Sequence, residues 1–261
     1  MDDAKQPLAP NAEAHNYPAL AVLDQVPGLF VRQKAQWLEE VAPACEVRNK
    51  YQIKVKPPHI DQANRDHEIR HLPMLWKAKE HSDCMPRICC HPYQELDMRI
   101  TDAQEHEVLN YHRPFKCTLL CPPLLLAPQE IQCILTGGGM LGKVVQNYKC
   151  CNFSHWFNVF DATDTRIYEL KIPCLQFGPN CICERFVVEI ILPDTETKVG
   201  TIQNVWPGCN LRALCSKADN LEITFDTPVP SHHKAILLGG VFLIDYMFFE
   251  RRNQDQQQFQ A

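Results

Sequence analysis

At 261 residues, 45% apolar and 22% charged, the chain has the composition of ordinary globular material and suits one large domain or two small ones. Its net charge of -5 excludes a general binder of nucleic acid or anionic membrane that works by bulk charge, and leaves room only for local basic patches. The opening MDDAKQPLAPNAEAHNYPAL lacks the basic-then-apolar pattern of a secretory signal, so the bulk of the chain is expected in the cytosol.

Residues 1–20 are rich in Pro, Ala and Asn, show no periodicity and read as a disordered tail. Within it Pro7-Leu-Ala-Pro10 has P-x-x-P spacing, a weak candidate contact for a protein partner because it lacks basic flanks. From Ala21 the spacing turns helical, with Val31, Lys34, Trp37, Leu38 and Val41 recurring at three and four and stopping near Pro43. The stretch Asn49 to Val55 sets Tyr51, Ile53 and Val55 on one face and predicts a strand. Residues 57–83 are polar, rich in histidine and broken by prolines, which predicts a long surface insertion whose His59, His67, His71 and His81 are solvated.

Beyond it, short alternating runs follow one another with turn signals between them. They are LDMRIT from Leu96, HEVLNYHRP from His106, EIQCIL from Glu130, GKVVQNY from Gly142, FNVFDA from Phe157, IYELKIP from Ile167, RFVVEIIL from Arg185, KVGTIQNVW from Lys198 and NLEITFD from Asn220. Many short strands without intervening helices predict an antiparallel barrel or sandwich. The chain then reaches its longest apolar run, AILLGGVFLIDYMFF from Ala235 to Phe249, followed by a polar tail over residues 251–261.

A spanning helix needs roughly 20 apolar residues, and runs of about 10 to 14 are more often buried core helices, so length alone leaves lipid and protein both open as its surroundings. A helix apolar on every face must be enclosed on every face. Gly239 and Gly240 cost about 1 kcal/mol each relative to Ala unless something packs closely there, which favours protein walls. Asp245 is tolerated inside a protein given one hydrogen-bonding partner, whereas it opposes insertion into lipid. Only Lys234 stands on the near side, while Arg251 and Arg252 would have to cross. The expectation is a core helix over residues 234–250 inside a closed sheet, with both termini on one side.

The fourteen cysteines are expected to be reduced in the cytosol, where disulfides are rare. Neither Cys84-x4-Cys89-Cys90-His91 nor Cys181-x-Cys183 has the C-x2-C pairing that marks structural zinc. No nucleophile elbow, phosphate loop or pair of catalytic carboxylates appears, so an enzyme that breaks bonds is not expected.

Several blocks in order, NKYQIK at 49–54, ICCHP at 88–92, HRPFKC at 112–117, PQEIQC at 128–133, ELKIPC at 169–174, KADNLEITF at 217–225 and KAILLGGVFLIDYMFFE at 234–250, resemble the phospholipid scramblase family over residues 21–250. The resemblance implies a mainly β, tubby-like fold, a twelve-stranded closed antiparallel β-barrel enclosing the hydrophobic C-terminal helix. It further implies calcium-stimulated, ATP-independent, bidirectional movement of membrane phospholipids between leaflets, on the cytoplasmic face of the plasma membrane and with palmitoylated cysteines.

Three family features carry over unevenly. The calcium segment reads Lys217 to Pro228 here and has lost both terminal aspartates; Asp219, Asn220, Glu222, Thr224 and Asp226 still offer oxygen. Calcium takes six to eight oxygens, so a solvated strand edge that binds calcium weakly or not at all is expected. Of the acylated cysteine cluster only Cys117 and Cys121 remain, in a loop rich in leucine. The basic import segment of some members has no counterpart in GTIQNVWPG at 200–208, which disfavours a nuclear role and nucleic-acid binding. A single apolar helix does not build a polar path through a bilayer, so transport would call for a homo-oligomer. The competing reading is a lipid-anchored module that binds lipid or protein without moving lipid.

Overall fold

The computed structural model describes residues 17–33, 49–60, 65–81, 95–116, 128–147, 156–172, 186–204 and 220–249. A 3₁₀ helix, Pro18–Leu23, leads into β1 (Gly28–Gln33), β2 (Lys50–Val55), the short helix α1 (Arg65–His71) and β3 (Met74–Glu80). Then come β4 (Leu96–Thr101), β5 (Glu107–Arg113), β6 (Glu130–Leu135), β7 (Gly139–Asn147), β8 (Trp156–Asp161), β9 (Arg166–Lys171), β10 (Val187–Ile191), β11 (Lys198–Asn204) and β12 (Asn220–Phe225). The helix α2 (Ser231–Ile244) and one π-helical turn, Asp245–Phe249, follow.

Each strand pairs antiparallel with the next in sequence, and β1 pairs with β12 to close the barrel. The closing register sets Leu29 against Ile223 and Val31 against Leu221. The alternation read from the sequence is the cause: Leu96, Met98 and Ile100 on β4, Val188 and Ile190 on β10, and Leu221 and Ile223 on β12 are all buried, with polar residues between them facing out. Closure leaves no free edge strand.

An up-and-down barrel has two unlike ends. At one, the hairpin end, β4–β5, β6–β7, β8–β9 and β10–β11 join by short turns. Left-handed residues there, Glu105 at φ 67°, Gly137 at 74°, Asp164 at 61° and Glu196 at 50°, reverse the chain within a few residues. Asp161 Oδ1 holds one such turn by accepting from the backbone N–H groups of Thr163 and Thr165 at 2.8 and 2.9 Å. At the other, the long-connection end, β1–β2, β3–β4, β5–β6, β7–β8, β9–β10 and β11–β12 are joined by the segments outside the described residues.

Two sequence expectations are corrected. The helical spacing read from Ala21 breaks at β1, where Val31 is a strand residue; the rest of that pattern, Lys34 to Val41, lies outside the described residues. Leu29 and Val31 point into the barrel, while Phe30 points out and packs with Ile69 of α1. The expected insertion over residues 57–83 holds α1 and a barrel strand, β3, whose Trp76, Ala78 and Glu80 are buried between more exposed Leu75, Lys77 and Lys79. Lysines on the outer wall and a carboxylate on the inner one hid the strand.

Candidate functional site

The helix α2 enters the barrel from the hairpin end, and every residue from Lys234 to Ile244 is buried. Its backbone runs nearest to β6 and β7, and the 3₁₀ helix packs against it as well. The glycine pair is where the fit is closest: a Cβ on Gly239 would stand 3.0 Å from the Tyr111 ring, and one on Gly240 would stand 3.0 Å from Leu170. Gly142 on β7 does the same from the wall, since a Cβ there would collide with Phe160 O and with Ile236 of the helix. Phe242 sits between Tyr51 and Tyr111, with ring centroids 5.3 and 5.4 Å away.

Polar groups fix the helix along its length. Lys234 Nζ donates to the carbonyls of Leu23, Asp24 and Val26 at 2.7, 3.0 and 2.9 Å, which ties the first turn of α2 to the segment leading into β1. Burial holds its ammonium below the usual lysine range. Tyr111 OH donates to Ala235 O at 2.8 Å. At the far end Asp245 accepts from Tyr51 OH at 2.7 Å, and Tyr246 OH donates to Glu80 at 2.9 Å. The structure therefore places Lys234, Gly239, Gly240 and Asp245 in one assembly, the seating of a core helix.

Near the helix start Tyr168 OH lies 3.0 Å from His233 Nδ1. Burial, and then the neighbouring His232, push the His233 imidazole down to about 4, so it is neutral at pH 7. Burial pushes Tyr168 up to about 12. Cys133 on β6 is buried beside Tyr111, and burial raises its thiol far above the usual range, which makes it a poor nucleophile.

Of the oxygen-bearing side chains expected from residues 217–228, the described ones are Glu222, Thr224 and Asp226. Glu222 is fully buried on β12, beneath α1 on the outer wall, where the sequence predicted a solvated edge; β12 is hydrogen-bonded on both sides, to β1 and β11. Its carboxylate accepts from Arg65 of α1 and from Gln203 of β11, with Lys56 Nζ at 3.5 Å. Lys56 also donates to Thr224 Oγ1 at 2.7 Å. Asp226 is exposed beyond the strand end, Asp219 is outside the described residues, and Asn220 is placed by its backbone pairing with Arg32. A carboxylate that already faces two fixed cations does not fit a calcium cage, which gathers six to eight free oxygens. Lys54 completes this outer layer by donating to the carbonyls of Ile69 and Arg70, at the C-terminal end of α1.

The sequence reading missed Arg65, Lys56 and Gln203 as the partners of Glu222, and Tyr51, Tyr111 and Glu80 as the seat of the helix. Only the alternation that sets Lys54 and Lys56 opposite Tyr51, Ile53 and Val55 hinted at charge on the outer wall. Cys117 and Cys121 lie outside the described residues, in the connection between the end of β5 at Arg113 and the start of β6 at Glu130. The cysteine and histidine groupings weighed for zinc lie outside them too.

A family model described as Scramblase matches residues 7–251. Phospholipid scramblase 1 of Homo sapiens is 31% identical over 249 residues, which covers 95% of this chain and 71% of the relative. Phospholipid scramblase 1 of Rattus norvegicus is 31% identical over 92% of this chain and 65% of its own length. Phospholipid scramblase 2 of Bos taurus is 32% identical over 89% and 72%. No solved structure matches.

Proposed function

The chain belongs to the scramblase family, and from that premise we propose that it lets phospholipids pass between the two leaflets of a membrane, in both directions, without ATP and without breaking a bond. The observation that carries this reading is the family match over residues 7–251, with 31% identity to a phospholipid scramblase across 95% of the chain. Leaflet exchange needs a lowered solvation barrier for the headgroup, not a nucleophile. The chemistry of the described side chains suits that: Cys133, Tyr111 and Tyr168 are held in protonated, unreactive forms.

In this reading calcium is not the trigger through residues 217–228, because Arg65 and Lys56 already balance Glu222. Attachment to the cytoplasmic face of the plasma membrane runs through acylation of Cys117 and Cys121, and copies of the chain assemble to make the lipid path. Protein partners, where present, meet the Pro7–Pro10 tail.

One observation favours a second reading, a lipid-anchored module that binds without transporting. α2 is spent on the barrel core, and among the described residues no helix is long and apolar enough to cross a membrane. Reconstitution of the purified chain in liposomes with a labelled phospholipid, followed by dithionite quenching, separates the two. Transport predicts quenching well beyond the outer-leaflet half; a plateau at half, equal to protein-free liposomes, overturns transport and leaves the binding module.

A further inference from the structure

The helix α1 carries the run His67-Glu-Ile-Arg-His71, whose H-E-x-x-H spacing brings two imidazoles to one face of a helix, within reach of one metal ion. At about 100° per residue, Arg65, Ile69 and Leu72 share one side of this turn and the two histidines share the other. The contacts follow that division. Ile69 is buried against Phe30, Arg65 reaches Glu222, and both histidines are exposed. Lys54 holds the carbonyls of Ile69 and Arg70 from the barrel side, at 3.0 and 2.7 Å. The inner face of α1 is therefore occupied by the wall, and the imidazole pair stands outward.

The two rings are already close, with centroids 4.3 Å apart and 38° between their planes. His71 Nδ1 lies 2.7 Å from His67 O. A carbonyl oxygen only accepts, so Nδ1 carries the proton and the lone pair of the neutral ring sits on Nε2. A backbone carbonyl that fixes the tautomer in this way is a common support of a metal-bound imidazole. Two nitrogens at about 2.0 to 2.1 Å from one tetrahedral zinc ion stand roughly 3.3 Å apart. Exposed side chains reach that separation by rotating about their own bonds, with the backbone left in place. The other charges of α1 cancel in sequence, Asp66 and Glu68 against Arg65 and Arg70, so selectivity rests with the imidazoles. These suit zinc, nickel and copper, whereas calcium and magnesium take oxygen. Among the described residues no third histidine, cysteine or carboxylate joins the pair. A catalytic zinc takes three protein ligands, so this arrangement suits binding and not hydrolysis.

We propose that His67 and His71 form a surface site for a transition-metal ion of the zinc, nickel and copper class, and that the bound ion staples α1 onto the barrel wall. A helix of seven residues is too short to persist by itself. An ion that binds only the formed helix stabilises it in proportion to occupancy. Bridging positions four apart, it closes the outer side of the turn that Lys54 closes from the inner side, and so secures the cover over Glu222 and Phe30. With two of the four ligands of a structural zinc site and water in the remaining positions, the dissociation constant is expected on the order of 10 µM. The site is independent of how the chain handles lipid.

The test titrates zinc into the full chain, labelled with nitrogen-15 in its histidines, and follows the imidazoles by nuclear magnetic resonance, with calcium as the control ion. A chelating buffer sets the free zinc, so that binding to any of the fourteen cysteines does not deplete it. Two imidazole sets, identified by their absence from H67Q and from H71Q, are expected to shift together with a half-point on the order of 10 µM zinc, and not with calcium. Either replacement should weaken zinc at the remaining partner at least about 10-fold, while H59Q leaves the response unchanged. Hydrogen exchange over residues 65–72 should slow about tenfold in roughly 100 µM free zinc in the parent and in neither variant. Without zinc both variants should melt like the parent, because the replaced side chains are exposed. Zinc that shifts only other histidines, that shifts one of the pair without dependence on the other, or that leaves exchange over residues 65–72 unchanged would overturn the stapled site.

Discussion

Replacing Lys234 with Met separates a core helix from a membrane helix, because the two predict opposite signs. The ammonium donates to three carbonyls, Leu23 O, Asp24 O and Val26 O, at 2.7 to 3.0 Å, and the residue is 4% exposed. A hydrogen bond to a charged group is worth about 1.5 to 3 kcal/mol, but three bonds sharing one buried ammonium are not additive, and the cost of burying that charge is recovered when it is removed. Methionine fills the lysine stem, so little cavity is left. The net loss is about 2 to 4 kcal/mol, mostly from carbonyls left without a donor. At about 2 to 4 °C per kcal/mol for a domain of this size class, the melting temperature should fall by about 5 to 15 °C. Circular dichroism melts and urea titrations of the purified chain measure it. If α2 were a lipid-spanning segment, removal of a charge from its end would favour insertion. An unchanged melt together with a larger membrane-bound fraction would refute the reasoning.

Lowering the pH should destabilise the fold through His233: its folded pKa of about 4 lies below the ordinary 6.5, so the stabilisation is complete above pH 6.5 and is lost as pH falls toward 4, by up to about 3 kcal/mol. Melts at pH 7 and 4.5 on the parent and H233Q should show a shallower pH dependence in the variant, and an identical slope in both rules His233 out. Calorimetry should find calcium affinity no better than millimolar, and a micromolar site abolished by Asp219→Ala would contradict this. Changing Cys117 and Cys121 together to Ser should move much of the protein to the soluble fraction, each single change doing less, since one acyl chain gives only marginal attachment. Unchanged fractionation of the double variant would place the anchor elsewhere.

The barrel was legible wherever inward and outward residues differ in polarity. Leu96, Met98 and Ile100 announce β4, and Leu221 and Ile223 announce β12. It was illegible where the wall breaks that rule. On β1, Phe30 is apolar on the outer side because α1 covers it, and three consecutive apolar residues erase the period of two. On β3 the inward Glu80 is tolerated because Tyr246 and the backbone N–H of Asn49 satisfy it, contacts made from the far end of the chain and from β2's start. The seat of the helix was legible in outline, since Gly239, Gly240 and Asp245 favour protein over lipid as its surroundings. Glu222 was not. Strand alternation gave its outward direction correctly, yet Arg65, which neutralises it, lies 157 residues away, and no local pattern links the two.

The most direct test of the account is the sidedness of the two chain ends. With different epitope tags before Met1 and after Ala261, the full-length chain is bound to sealed vesicles from outside and treated with protease. A helix enclosed by the barrel predicts that both tags are removed together and that neither gains protection with time. A tag after Ala261 that survives while the one before Met1 is cut would put α2 across the bilayer and contradict the account.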